Sequence, residues 1–148
     1  MIRLAKSSDI DAIVELAEPM YLESNYCVLQ YSEIAYRRFL EAIIAYERGV
    51  VILAEDRGRL LGLYIGMCTP VFFSPDMVAT DVLMYVLPDE RRGQVGRKLV
   101  EAFEAWAREQ GARQIRPGVS IGGNIEGPAR LYHAAGYQTS GYNFVKTL

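Results

Sequence analysis

One stretch limits what this chain can fold into. Val86 to Gly111, VLPDERRGQVGRKLVEAFEAWAREQG, carries an apolar strand end through a short basic, glycine-containing loop into a helix. The helix follows from period: Val95, Leu99, Phe103 and Trp106 recur at steps of three and four residues, with Gly96, Val100 and Ala107 beside them. Lys98, Glu101, Glu104, Arg108 and Glu109 take the remaining arc, and Gly111 closes the helix. Asp81 to Leu87 (DVLMYVL) is rich in β-branched and large apolar residues, and Pro88 then removes a ladder donor, so a strand ends there.

A helix that starts near Gly93 leaves its first backbone N–H groups without intrahelical partners and carries a partial positive charge at that end. Gly93 and Gly96 let backbone approach a bulky anion, and Arg91, Arg92 and Arg97 add full positive charge around it. The plainer reading stands beside this one: the arginines are a solvated helix entrance and the glycines only shape a turn. No G-x-x-x-x-G-K-S/T and no G-x-G-x-x-G is present, which excludes a P-loop and a Rossmann dinucleotide fingerprint.

The run PDERRGQVGRKLVEAFEAWA resembles the acetyl-CoA-binding signature of the GNAT-type N-acetyltransferase superfamily, Q/R-x-x-G-x-G/A, placed between that family's fourth strand and third helix. Arg91 takes the first position and Gly96 the last; Gln94 stands where the pattern has glycine, and Gly93 falls one residue early. The opening IRLAKSSDIDAIVELA is similar to the family's first strand and helix. ARLYHAAGY is similar to its A-x-x-L-Y-x-x-x-G-F/Y segment, with one residue fewer between alanine and leucine.

The resemblance implies an α/β (α+β) GNAT-like fold over residues 1–148 as one domain. Its sheet is central, mixed, mostly antiparallel and twisted, with six to seven strands and about four helices, and it splays between strands 4 and 5 to admit acetyl-CoA. Backbone groups near Met84, Tyr85 and Val86 would then hold the pantetheine arm and thioester oxygen, and amides of Arg92, Gly93, Gln94, Val95, Gly96 and Arg97 the pyrophosphate. By the same resemblance Tyr132 matches the acid that protonates the departing thiolate, Asn124 sits near a cofactor-contacting asparagine, and a carboxylate near Asp81 serves as base in some relatives. The implied activity is acetyl transfer to a primary amine of a small molecule or peptide. The competing reading, motivated by Gln94, is an acyl-CoA-binding module without turnover; a purely structural subunit is a weaker third.

The residues themselves leave several roles open. An aspartate in an apolar strand needs a reason, because a buried carboxylate is costly unless paired, hydrogen-bonded or protonated. Asp81 is therefore either satisfied by a local N–H or arginine, or a general base; by alternation it shares a face with Leu83 and Tyr85 unless a bulge intervenes. On periodicity alone Tyr132 reads as a core tyrosine. Met20 to Tyr31 has no clean period, and its Glu23, Tyr26 and Tyr31, with Tyr21, either line a substrate cleft or pack the loop down. Glu23 is the alternative base.

Elsewhere Ile2 to Ala5 reads as a strand, Ser7 or Ser8 as the cap of a helix that Pro19 ends or kinks, and Ser32 as the cap of a second helix to about Tyr46. Val50–Ala54 and Leu60–Met67 read as a hairpin turned at Gly58. Gln114–Val119 is expected as strand five, Pro128 in the first turn of a last helix, and Tyr137–Thr139 with Tyr142–Lys146 as a final strand pair. Thr69 to Met77, TPVFFSPDM, reads as a cleft rim or a subunit contact, and with family habit it suggests a homodimer.

Net charge of −2 and pI ≈ 5.5 argue against a nucleic-acid partner, which needs a basic face. Cys27 and Cys68 lack C-x-x-C spacing and the one histidine, His133, cannot build a metal site, so no metal is expected. No apolar run reaches membrane-spanning length and MIRLAKSSDID has no signal-peptide core, so no membrane partner is expected and the reading is cytoplasmic.

Overall fold

The architecture comes from a computed structural model that describes residues 1–119, 123 and 125–148. In chain order it forms β1 (Ile2–Leu4), α1 (Ile10–Glu15), α2 (Ala17–Glu23), α3 (Glu33–Ala45), β2 (Gly49–Asp56), β3 (Arg59–Pro70), β4 (Met77–Val86), α4 (Val95–Glu109), β5 (Ala112–Arg116) and α5 (Glu126–Ala134). Single 3-10 turns occupy Ser7–Asp9 and Pro88–Glu90. The strands lie in the order β1-β2-β3-β4-β5; the first three pairings are antiparallel and β4-β5 is parallel. A mixed, mostly antiparallel sheet is as expected.

Both faces of this sheet are covered, which explains why β2 is apolar at nearly every position rather than at alternate ones. Val50, Ile52 and Ala54 pack with Tyr64, Leu99, Phe103 and Ala107 of the α4 layer, whereas Val51 and Leu53 pack with Ile13, Leu40 and Ile43 beneath α1 and α3. Gly66 makes the α4 layer possible. A Cβ there would lie 2.3 Å from Phe103 Cε2 and 2.9 Å from the Thr80 carbonyl oxygen, so the helix lies directly on the strand. The hairpin turn holds Arg57 and Gly58 at φ of 46° and 82°, the two positive values that a right-twisted two-residue connection requires.

Three expectations change. The final strands Tyr137–Thr139 and Tyr142–Lys146 do not form, and 137–148 carries no regular structure, so the described sheet has five strands instead of six to seven. Strand propensity without a ladder partner does not make a strand. The described residues form five α-helices rather than about four, because Pro19 begins α2 as much as it ends α1. Lacking an N–H, it cannot donate to the Glu15 carbonyl, yet it is tolerated in the first turn of the next helix. Lys6, not a serine, takes the cap position of the Ser7–Asp9 turn, and its N–H donates to Asp9 Oδ2 at 2.7 Å. Ser32 does cap α3, accepting from the Ala35 amide at 3.2 Å. Among the described residues no helix is long and apolar enough to cross a membrane.

Candidate active site

β4 pairs with β3 along its whole length but with β5 only where Met77–Thr80 meets Ala112–Arg116. β5 ends at Arg116, so the β4 residues from Asp81 to Val86 have no β5 partner. A bulge sits just past the end of that pairing: Ile65 opposes Leu83 and Gly66 opposes Asp81, leaving Val82 as the extra residue. The simple alternation is therefore overturned. Leu83 and Tyr85 pack toward α1 and α3, whereas Asp81 acts on the phenols of Tyr64 and Tyr132 in the α4 layer.

Just beyond the end of β5 the Asp81 carboxylate accepts the Gly118 N–H at 2.9 Å. Burial pushes its pKa up, and the Gly118 bond opposes that rise. Tyr132, on α5, is buried, with its hydroxyl 3.4 Å from that of Tyr64 and 3.6 Å from the Met84 sulfur. Burial first, with the Asp81 charge adding to it, pushes the Tyr132 phenol up to about 12 against the lowering effect of Tyr64. It is thus protonated at neutral pH. The structure brings Asp81, Tyr132 and Met84 together, and it adds Tyr64, which sequence reasoning passed over.

α4 begins at Val95 with Gln94 as its cap residue, and among the described residues no side chain caps its first amides. Its first turn carries no acidic residue, so the positive end is left uncompensated. Gly93 donates its own N–H to the Glu90 carbonyl at 3.1 Å. Gly96 is small for packing reasons as well: a Cβ there would lie 3.1 Å from Leu131 Cδ2 and 3.5 Å from Met84 Cε, so it sets the approach of α4 to α5 and β4. Arg92 is exposed, and Arg97 pairs with Glu101 at 2.7 Å one turn along the helix. Arg91 behaves differently from both. Its Nε donates to the Val86 carbonyl at 2.9 Å and its Nη2 to Glu23 Oε2 at 2.6 Å, with the guanidinium 5.5 Å from the centre of the Tyr85 ring.

Glu23 ends α2, and its other oxygen accepts from the Tyr85 hydroxyl at 3.2 Å. Tyr85 packs on the α1 and α3 face of the sheet, so Glu23 and Tyr85 stand on the other side of β4 from Tyr64 and Tyr132. Tyr31 lies 5.6 Å from the Tyr21 ring, and the Tyr21 hydroxyl reaches the carbonyls of Cys27 and Leu29 at 2.7 and 2.5 Å, which folds the loop onto itself. Tyr26 is exposed at 59%. Asn124 lies outside the described residues. The Thr69–Met77 segment turns at the end of β4 opposite the Val86 loop, away from this cleft, with Phe72 fully exposed and edge-on to Phe73.

Comparison with known proteins matches residues 45–139 to the model of an acetyltransferase (GNAT) domain. The chain is 29% identical over 115 residues to the uncharacterised N-acetyltransferase YhfO of Bacillus subtilis (strain 168), covering 76% of this chain and 73% of that one. Among solved structures, AAC(6')-Iy with the bisubstrate analogue CoA-S-monomethyl-acetylneamine superposes with a TM-score of 0.82 at 15% identity, over 100% of this chain and 97% of that one. Glucosamine-6-phosphate N-acetyltransferase from Arabidopsis thaliana does so at 0.78 and 18%, over 99% and 97%.

Proposed function

The chain belongs to the GNAT acetyltransferase family, and from that premise we propose that it is an acyltransferase moving the acetyl group of acetyl-CoA to a primary amine of a small molecule or peptide. The observation that supports the site assignment is the stretch of β4 past Thr80 that has no β5 partner, beside the start of α4, where Gly96 approaches Met84 and Val86 and the Tyr132 hydroxyl approaches the Met84 sulfur.

Met84, Tyr85 and Val86, paired to β3 on one edge and without a β5 partner on the other, accommodate the pantetheine arm along that second edge, as a strand accommodates a neighbour. The free amides from Gln94 to Arg97, with Arg92 and Arg97 beside them, receive the pyrophosphate. An ammonium has no lone pair, so the acceptor must reach the thioester deprotonated. Asp81, held as a better base by its raised pKa, takes the proton from nitrogen as the N–C bond forms and the C–S bond breaks. Tyr132 delivers a proton to the departing sulfur and recovers one from solvent. Glu23, already engaged by Arg91 and Tyr85, fits the acceptor wall better than the base position.

The acceptor is chosen by Glu23, Tyr26 and the surrounding loop, with Tyr31 behind them. One neighbour carries an acetylneamine analogue and another is named for glucosamine-6-phosphate, so amino sugars head the panel, followed by polyamines, amino acids and peptide amines. Calorimetric titration of the wild type and Gly96→Glu with acetyl-CoA tests the donor site: binding in the wild type that Gly96→Glu abolishes supports it. Thiol release that needs both acetyl-CoA and an amine tests turnover; binding with no release across the panel returns the module without turnover. We further read the protein as one cytoplasmic domain that forms homodimers, on the strength of its two free cysteines and exposed apolar segments. Sedimentation showing only monomer at micromolar concentration would remove the dimer.

A further inference from the structure

We propose that Arg91 is a positioning residue that ties α2 to the end of β4, and not a ligand of the pyrophosphate. The inference rests on the donor cleft lying along β4, and it assigns Arg91 to the opposite, acceptor side of that strand. Its guanidinium is engaged on three sides at once: Nε by the Val86 carbonyl, Nη2 by Glu23, and one face by Tyr85. Glu23 in turn holds Tyr85 through its second oxygen. To reach a phosphate at the α4 start, Arg91 would have to abandon all three and leave a half-buried carboxylate without its cation. Arg92 faces no such cost, and Arg97 gives up only an exposed pair within its own helix.

What Arg91 holds needs holding. α2 is seven residues long, has no side-chain cap and buries only Ala17, so it has little stability of its own. Its C-terminus carries the partial negative charge of the helix, and a cation there is favourable in addition to the Glu23 pair. The loop from Ser24 to Tyr31 hangs from that end, folded by Tyr21 of the same helix. A fork that grips β4 with one nitrogen and α2 with another therefore fixes how far the acceptor wall stands from the donor strand. Lysine, a point donor, cannot grip both.

The experiment compares wild type, Arg91→Ala, Arg91→Lys, Glu23→Gln and Arg92→Ala in two measurements: hydrogen exchange of residues 20–31 and calorimetric titration with CoA. We expect Arg91→Ala to speed exchange there by about tenfold, the loss of a local tie, while CoA affinity stays within about threefold. Glu23→Gln should loosen the same amides, Arg91→Lys should recover part of the protection, and Arg92→Ala should weaken CoA by about fivefold with exchange at 20–31 unchanged. With an amine turned over in the screen, Arg91→Ala should raise the KM for the amine and leave that for acetyl-CoA. Loss of CoA affinity of about tenfold or more in Arg91→Ala, or unchanged exchange at 20–31, overturns the assignment. Wild type that binds no CoA would sink the functional reading, while the exchange measurement still decides whether Arg91 is the tie.

Discussion

Asp81 concentrates the conflict between stability and chemistry in one side chain. Burial raises its pKa above the ordinary 3.8, so the folded state holds the proton longer than the unfolded chain does. The sign follows: its contribution is most favourable below pH 3.8 and is lost as pH rises through the raised value, leaving a desolvated charge at neutrality. Asparagine can keep accepting the Gly118 N–H without that charge. Asp81→Asn is expected to melt about 2–4 °C higher than wild type at pH 7 but not at pH 4, and to lose acetyl transfer. A lower melting temperature at pH 7 would show that the charge is not a burden. In wild type, turnover should fall as pH drops through the raised Asp81 value. Tyr64 is the second case. Its hydroxyl meets that of Tyr132 and lowers the latter's pKa, so Tyr64→Phe should reduce kcat by about three- to tenfold, with KM for acetyl-CoA and melting temperature little changed. Unaltered kcat would leave Tyr64 a packing residue. Asp81 and Tyr132 were singled out as candidates because a carboxylate in an apolar strand and a tyrosine in a family segment both stand out. Tyr64 was not, because in an apolar strand a tyrosine looks like core; the flanking Gly62 and Gly66, which open room for α4 on that face, were the available signal.

Elements were legible where period and punctuation agreed. α3 has its serine cap, α4 its heptad-like stripe and closing Gly111 at φ of 76°, and the β2–β3 hairpin its turn glycine. They were misread where one residue can signal two things: Pro19 as a stop when it also opens α2, and Val82 as a regular strand position when it is the bulge. Neither depends on the local sequence alone, since a bulge is fixed by the partner strand's register. The contact of α4 with β3 gives the element-scale prediction. A methyl at Gly66 would collide with the Phe103 ring and the Thr80 carbonyl, and backbone cannot step aside as a side chain can. Gly66→Ala should therefore cost about 1–3 kcal/mol by denaturant unfolding, and adding Phe103→Leu should not restore it fully, because the carbonyl remains. Full recovery in the double variant would locate the whole conflict in the ring.

At the scale of the molecule, the described sheet ends at β5, a short strand with one neighbour, and the C-terminal residues that were expected to extend it form no ladder with it. Tyr142 and Phe144 are 84% and 94% exposed, and residues 138–148 are exposed throughout. Their aromatic and β-branched composition suggested strands, yet a strand is completed by a partner's hydrogen bonds, and composition does not say whether a partner edge is within reach. The energetic consequence is direct: apolar surface that stays in water contributes nothing to the fold. Truncation after Gly141 should thus leave the melting temperature of dilute protein within about 2 °C of wild type, and should raise solubility by removing an exposed apolar strand former. If the same segment instead adds to the β5 edge of a second copy, truncation should convert a sedimenting dimer to monomer, and the melting temperature of the full-length chain should rise with protein concentration where that of the truncated chain does not. A fall of about 5 °C or more in dilute truncated monomer would mean that these residues pair with β5 of their own chain, and that the sheet has a sixth strand in solution.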